Sequence, residues 1–193
     1  MNREFINDIK KVLKKELTAK RYEHSLGVAY TAAALAMRYD VDVDRAELAG
    51  ILHDCAKCYK NDELEHLLKK AHIKLAADEM ATPQIWHAIY GPVLAGKKYH
   101  IEDAEILSAI RWHTTGHADM SMLEKIIFIA DYIEPNRDEA GDLDEIRRMA
   151  FDNITMAVYK VSRDTLEYLE GKNIVINSET RNCYEWLKAT IYI

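Results

Sequence analysis

The sequence predicts an all-α fold, a single bundle of helices. Three observations carry that expectation. Only three prolines and seven glycines interrupt the 193 residues. Apolar residues recur at helical spacing, and β-branched alternation is almost absent before the last twenty positions.

Taken in order, "FINDIKKVLKKEL" is an amphipathic first helix with a lysine-rich outer face. "YEHSLGVAYTAAALAMRY" is a second, its alanines and one glycine suited to close packing. A third runs from about Asp44 to Cys58. Asn61 is placed to cap "DELEHLLKKAH", and Thr82-Pro83 offers a cap and a first-turn proline to "QIWHAIYGPVLAGKKY". Pro92 should kink or split that helix. "EDAEILSAIRWH" follows and stops at Thr114-Thr115-Gly116. Ser121 and Glu124 form a capping box that opens "SMLEKIIFIADYIE". A long helix is expected from about Asp142 to Leu169. The tail "GKNIVINSETRNCYEWL" has a short β-branched run, read as an extended strap or an oligomer contact, and then one last helix.

The length suits one domain, and neither a repeat nor a linker divides residues 1–193. Hydrophobic residues make up 49%, charged residues 30%, and the net charge is −6. This balance excludes a disordered chain and a basic nucleic-acid binder. No apolar stretch reaches the roughly 18 residues of a membrane span, and "MNREFINDIKK" lacks a signal-peptide core, so a cytoplasmic protein is expected. The cysteines are Cys55, Cys58 and Cys183, an odd number. Cys55 and Cys58 have the C-x-x-C spacing but no second pair, and they read as incidental thiols.

The informative positions are polar residues in apolar surroundings. "LAGILHDCAKCYK" sets His53 and Asp54 at the end of a greasy segment. A buried carboxylate costs several kcal/mol unless something positive holds it. His24, His87, His113 and Asp131 repeat the pattern, and Asp131 sits in a helix apolar nearly all round. No Lys or Arg occupies these apolar faces, which leaves imidazoles and, through them, a metal. Neutral imidazole and carboxylate suit iron, manganese, zinc or cobalt. His66, His72 and His100 fall in polar, lysine-rich contexts and read as surface residues.

The order His24, His53-Asp54, Asp131 resembles the signature of the HD-domain superfamily of metal-dependent phosphohydrolases. The strings "RYEHSLGVA", "HDCAK", "HTTG" and above all "LEKIIFIADYIEPNR" narrow the resemblance to its YqeK branch, bacterial symmetrical diadenosine tetraphosphate hydrolases. The resemblance covers nearly the whole chain. It implies an all-α HD-domain bundle, an iron centre, and asymmetric-looking recognition of a symmetric substrate that is cut at its middle to give two ADP. In one departure, the branch tends to carry Arg after "HTTG" where this chain has His117, a cation only at lower pH.

On this reading His24, His53, Asp54 and Asp131 hold a metal that activates water, with Asp54 orienting the nucleophile. His87 and His113 either complete a second metal site with Asp54 or hydrogen-bond phosphate oxygens, the latter being the expected role because three ligands leave a second metal weakly held. Lys57, Arg21 and Arg137 are candidate phosphate clamps. Cys58, Tyr59, Lys60, Tyr132, Ile174, Val175 and Ile176 are further candidates for lining the nucleotide site. A nucleotide substrate or product is the expected partner, with no nucleic acid and no membrane, and the apolar tail suggests a homodimer. Two alternatives share these residues. One is an HD-type hydrolase of nucleoside mono- or diphosphates or cyclic nucleotides. The other is a non-catalytic nucleotide sensor.

Overall fold

The computed structural model describes residues 3–138 and 142–191. Among the described residues eleven α-helices run in order: α1 Arg3–Glu16, α2 Ala19–Arg38, α3 Val43–Leu52, α4 Asn61–Lys70, α5 Ala77–Met80, α6 Trp86–Tyr99, α7 Ala104–Trp112, α8 Met122–Ile133, α9 Leu143–Asp152, α10 Ile154–Gly171 and α11 Ser178–Ile191. Short 3₁₀ turns span Cys55–Cys58 and Pro83–Ile85. Among the described residues there is no strand, and no helix is long and apolar enough to cross a membrane.

Helices α2, α3, α7 and α8 form the middle of the bundle; α6 packs on α7, and α10 carries α9 and α11. Helices α2 and α3 pack closely along their backbones. A Cβ on Gly50 would lie 2.8 Å from Ala29 Cα, so glycine facing alanine sets that spacing. Ile51, Leu52, Ile106, Ile110, Ile126 and Ile127 are fully buried around this seam.

Several expected boundaries shift for local reasons. The third helix stops at Leu52, because Asp54 takes a non-helical conformation before the 3₁₀ turn. Lys60, not Asn61, precedes α4, and its N–H donates to Glu63 Oε2 at 2.9 Å. Helix α6 runs unbroken through Pro92. The proline costs one backbone bond, and buried Ile89 and Tyr90 on one side with Leu94 and Ala95 on the other hold both halves in place. The long helix from Asp142 is two helices, divided where Asn153 leaves helical geometry and accepts from Met156 N–H to cap α10. Helix α5 was not foreseen. The β-branched run forms no strand; residues 174–177 are irregular and lead into α11. Ser121 and Glu124 do form the capping box of α8.

Candidate active site

Five element ends deliver one cluster. His24 comes from the second turn of α2, and His53 caps the C-terminus of α3. The backbone break at Asp54 turns its carboxylate toward the same point. His87 lies in the first turn of α6, His113 caps α7, and Asp131 sits in the last turn of α8. His24, His53, Asp54, His87 and His113 are all buried. Asp131 departs from the expectation of full burial: its side chain is 20% exposed, because the centre opens to the surface there.

Two donor sets share Asp54. On one side, Asp54 Oδ2 lies 3.5 Å from His53 Nε2 and 4.0 Å from His24 Nε2. Asp131 Oδ1 lies 3.0 Å from His24 Nε2 and 3.8 Å from His53 Nε2. On the other side, Asp54 Oδ1 faces His87 Nε2 at 3.3 Å and His113 Nε2 at 3.5 Å, and those two nitrogens are 3.2 Å apart. Thr114 Oγ1 approaches His87 Nε2 at 3.4 Å.

The far nitrogens are occupied. His53 Nδ1 donates to Gly50 O at 2.7 Å, His113 Nδ1 to Ile110 O at 2.8 Å, and His24 Nδ1 to Glu134 Oε1 at 3.1 Å. These bonds set the tautomer that leaves each Nε2 lone pair pointing at the centre, as metal-ligating histidines require. Meanwhile His24 Nε2, His53 Nε2 and Asp54 Oδ1 are buried without a well-directed hydrogen bond. Orphaned buried donors and acceptors are costly, and a cation among them resolves the cost. The residues fit a divalent metal on this ground.

Electrostatics agree. Burial opposes ionisation of Asp131, yet the His24 imidazole beside it and the nearby histidines hold its carboxyl well below the usual range. Burial likewise opposes ionisation of Asp54, and His53, His113 and His87 outweigh it. Burial brings His87 down to about 4, against the pull of Asp54, so its imidazole is neutral at pH 7.

The expectation that only imidazoles face the buried carboxylates is corrected, and two of the candidate clamps supply the cations. Arg21 Nη1 donates to Asp54 Oδ2 at 2.7 Å, and Arg137 donates to Asp131 Oδ1 at 2.8 Å. Both guanidiniums enter from the rim. Lys57 is exposed at the 3₁₀ turn, on the His87 side. Tyr132 joins Phe128, Leu143 and Val161 in a cleft of about 260 Å³ that opens on His113, Asp131 and Arg137. Cys58, Tyr59 and Lys60 line neither this cleft nor the one beside Arg21. Tyr59 instead packs edge-on against Tyr90, and the Cys58 thiol donates to Cys55 O. Ile174 and Val175 are exposed and Ile176 half-buried, outside both clefts. His117 is 3.1 Å from Glu124 Oε2 and lies against the Trp112 ring, engaged by the α8 cap.

Glu134 escaped the sequence reading. It is 1% exposed and accepts from His24 Nδ1 and from both the backbone and side-chain N–H groups of Asn136. A Cβ on Gly27 would collide with Glu134 Oε2, so that glycine makes room for the carboxylate rather than for a helix. The signal was present in "IEPNR": a buried acid three residues after a candidate ligand.

A helical bundle with His–Asp and His-Asp pairs converging from separate helices defines a class, and comparison identifies it. The HD domain profile matches residues 21–136, and the chain belongs to the HD-domain family, whose members bind divalent metals. Within that family the chain is 39% identical to a Bacillus subtilis protein named symmetrical bis(5'-nucleosyl)-tetraphosphatase, across 91% of this chain and 93% of that one. A Staphylococcus aureus protein of the same name is 38% identical across 94% and 93%. A crystal structure from Clostridium acetobutylicum, described as a predicted HD superfamily hydrolase involved in NAD metabolism, superposes with a TM-score of 0.92 at 35% identity, covering 95% of this chain and 97% of that one.

Proposed function

We propose that this protein hydrolyses diadenosine tetraphosphate and related dinucleoside tetraphosphates at the middle of the phosphate chain, releasing two nucleoside diphosphates. One observation carries the reading. A His–Asp centre with orphaned donor atoms sits beneath two guanidiniums, in a chain 39% identical over 91% of its length to a symmetrical tetraphosphatase.

His24, His53, Asp54 and Asp131 would hold the primary ion, iron in our reading, with manganese, cobalt or zinc compatible with the same donors. Asp54 Oδ1, His87 and His113 would hold a second, which the division of the Asp54 oxygens supports over a purely phosphate-binding role. Bound metal supplies Lewis acidity and an acidified water. The side chains do the rest. Asp54, held anionic, orients the attacking water. Arg137 and Arg21, already within 2.8 Å of the carboxylates, offer two-pronged contacts to the phosphates on either side of the scissile bond. Lys57 adds a point charge. Burial of the histidines keeps competing water out.

Chromatography of the products tests the reading. Diadenosine tetraphosphate should give ADP as the only nucleotide; ATP and AMP in equal amounts would reject it. Running nucleoside mono- and diphosphates and cyclic nucleotides beside it tests the related substrates. Metal analysis of the purified protein decides the ion. A cytoplasmic location, and a homodimer involving exposed Ile174 and Val175, complete the proposal; sedimentation reads the second.

A further inference from the structure

Residues 134–137 carry two working side chains at the end of a helix. Glu134 orients His24, and Arg137 pairs with Asp131 at the centre. Helix α8 stops at Ile133, so its last carbonyls need donors from elsewhere. Pro135 has no N–H to give Asp131 O, and Arg137 Nε donates there instead at 3.0 Å. The Asn136 N–H goes to the Glu134 carboxylate, and the Arg137 N–H turns back to Glu134 O at 3.0 Å. Ile133 O therefore loses the N–H that a continuing helix would bring it.

Arg147, from the middle of α9, fills that gap. Its Nε donates to Ile133 O at 3.1 Å, and its Nη2 donates to Glu134 O at 3.2 Å and Arg137 O at 3.0 Å. One planar guanidinium thus spans both ends of the segment, a reach that a lysine's single nitrogen lacks. Its charge also lies against the negative end of α8. Asp144, 3.5 Å away with its side chain 84% exposed, is a weak competitor. Helix α9 is itself fixed. Leu143, Ile146 and Ala150 are buried, and Arg38 and Tyr39 at the end of α2 donate to Phe151 O and Ala150 O. Arg147 therefore ties the segment to the frame of the helix that brings Arg21 and His24 to the centre.

We propose that Arg147 is a positioning residue for the reaction: by fixing the backbone of residues 133–137, it aims Glu134 at His24 and Arg137 at the phosphates. It lines neither cleft of the centre, so it acts through those two side chains. The assignment deepens the functional reading above and rests on it.

Arg147→Ala and Arg147→Lys test it, with melting temperature as the folding control, since the apolar face of α9 stays intact. Arg147→Ala should surrender its bound metal at roughly 10-fold lower chelator concentration than the unaltered protein, the low end for lost partners of ligating histidines. With metal in excess, kcat/KM for diadenosine tetraphosphate should fall about 10-fold as Arg137 shifts. In an Arg137→Ala background the same change should cost less than about twofold, because the side chain it positions is gone. Arg147→Lys keeps the charge without the fork and should fall between; if the alanine variant does not fold, the lysine variant carries both measurements. An arginine that merely supports the fold would lower activity by the same factor in both backgrounds. That result overturns the proposal, and so does unchanged metal retention. If the unaltered protein releases no ADP from diadenosine tetraphosphate, the functional reading fails, and metal retention alone then decides whether Arg147 positions His24.

Discussion

Glu47 and Asp54 are seven positions apart (54 − 47) and equally buried, each with a side chain 3% exposed. They do opposite things. Glu47 accepts from Lys10 Nζ at 2.5 Å and from Arg3, and both of its oxygens are satisfied. Asp54 has Arg21 on one oxygen, while the other is unpartnered and faced by two imidazoles. Glu47 ties α1 to α3; Asp54 joins two donor sets. Buried charge alone therefore does not mark a site. What marks it is convergence of groups that the protein leaves unsatisfied.

The sharpest way to break this contrast is to remove each carboxylate. Asp54→Ala should strip most bound metal and lower kcat/KM by at least about 1000-fold, with little change in melting temperature. Glu47→Ala should do the reverse. Leaving Lys10 half-buried without its partner costs about 2–4 kcal/mol of stability, while metal stoichiometry and activity of the folded fraction stay put. Metal analysis with thermal melts reads both, and an Asp54→Ala protein with full metal content would end the metal assignment.

Next come the cations at the mouth. Arg137→Ala should lower kcat and kcat/KM together by about 100-fold, because its guanidinium already lies at the centre. The more exposed Lys57 should matter less, roughly 10-fold on the same scale. If both variants stay within about threefold of the unaltered protein, these are ordinary solvated charges. Glu134→Ala should weaken metal affinity roughly 10- to 100-fold by releasing His24, the range seen for lost partners of ligating histidines. Gly27→Ala should resemble it, through the collision of its methyl group with Glu134. Isothermal titration with metal separates this loss from simple unfolding.

The same contrast explains what was legible in the sequence. Helix class and most helices follow from periodicity, and the Ser121 cap from its spacing. Boundaries failed where a single residue's backbone decided, as at Asp54, Pro92 and Asn153. The six centre residues stood out because each is polar in an apolar context, a local property. Arg21 and Arg137 were legible as cations for the site, but their pairing with Asp54 and Asp131 was not, and Glu134 was passed over, because those contacts span 33, 6 and 110 positions and only the fold creates them. Glu47 was missed for the same reason: its cations lie on α1.

The smallest effect expected is the pH dependence of the Glu47 tie. Burial pushes this carboxyl up, but the Lys10 and Arg3 hydrogen bonds outweigh it, so its folded-state pKa lies below the ordinary value. A depressed carboxylate contributes stability that is fully present above the unfolded pKa and lost as pH falls through the folded one. At neutral pH the contribution is whole; in acid it disappears as Glu47 takes up a proton. The centre's own carboxylates also titrate in acid, so melting of one protein alone is not diagnostic. Glu47→Gln removes only this charge. The gap in melting temperature between the unaltered protein and Glu47→Gln should be a few degrees at pH 7 and should close toward pH 3. A gap that stays constant or widens in acid would mean that Glu47 contributes through packing, and the ion-pair side of the comparison would not stand.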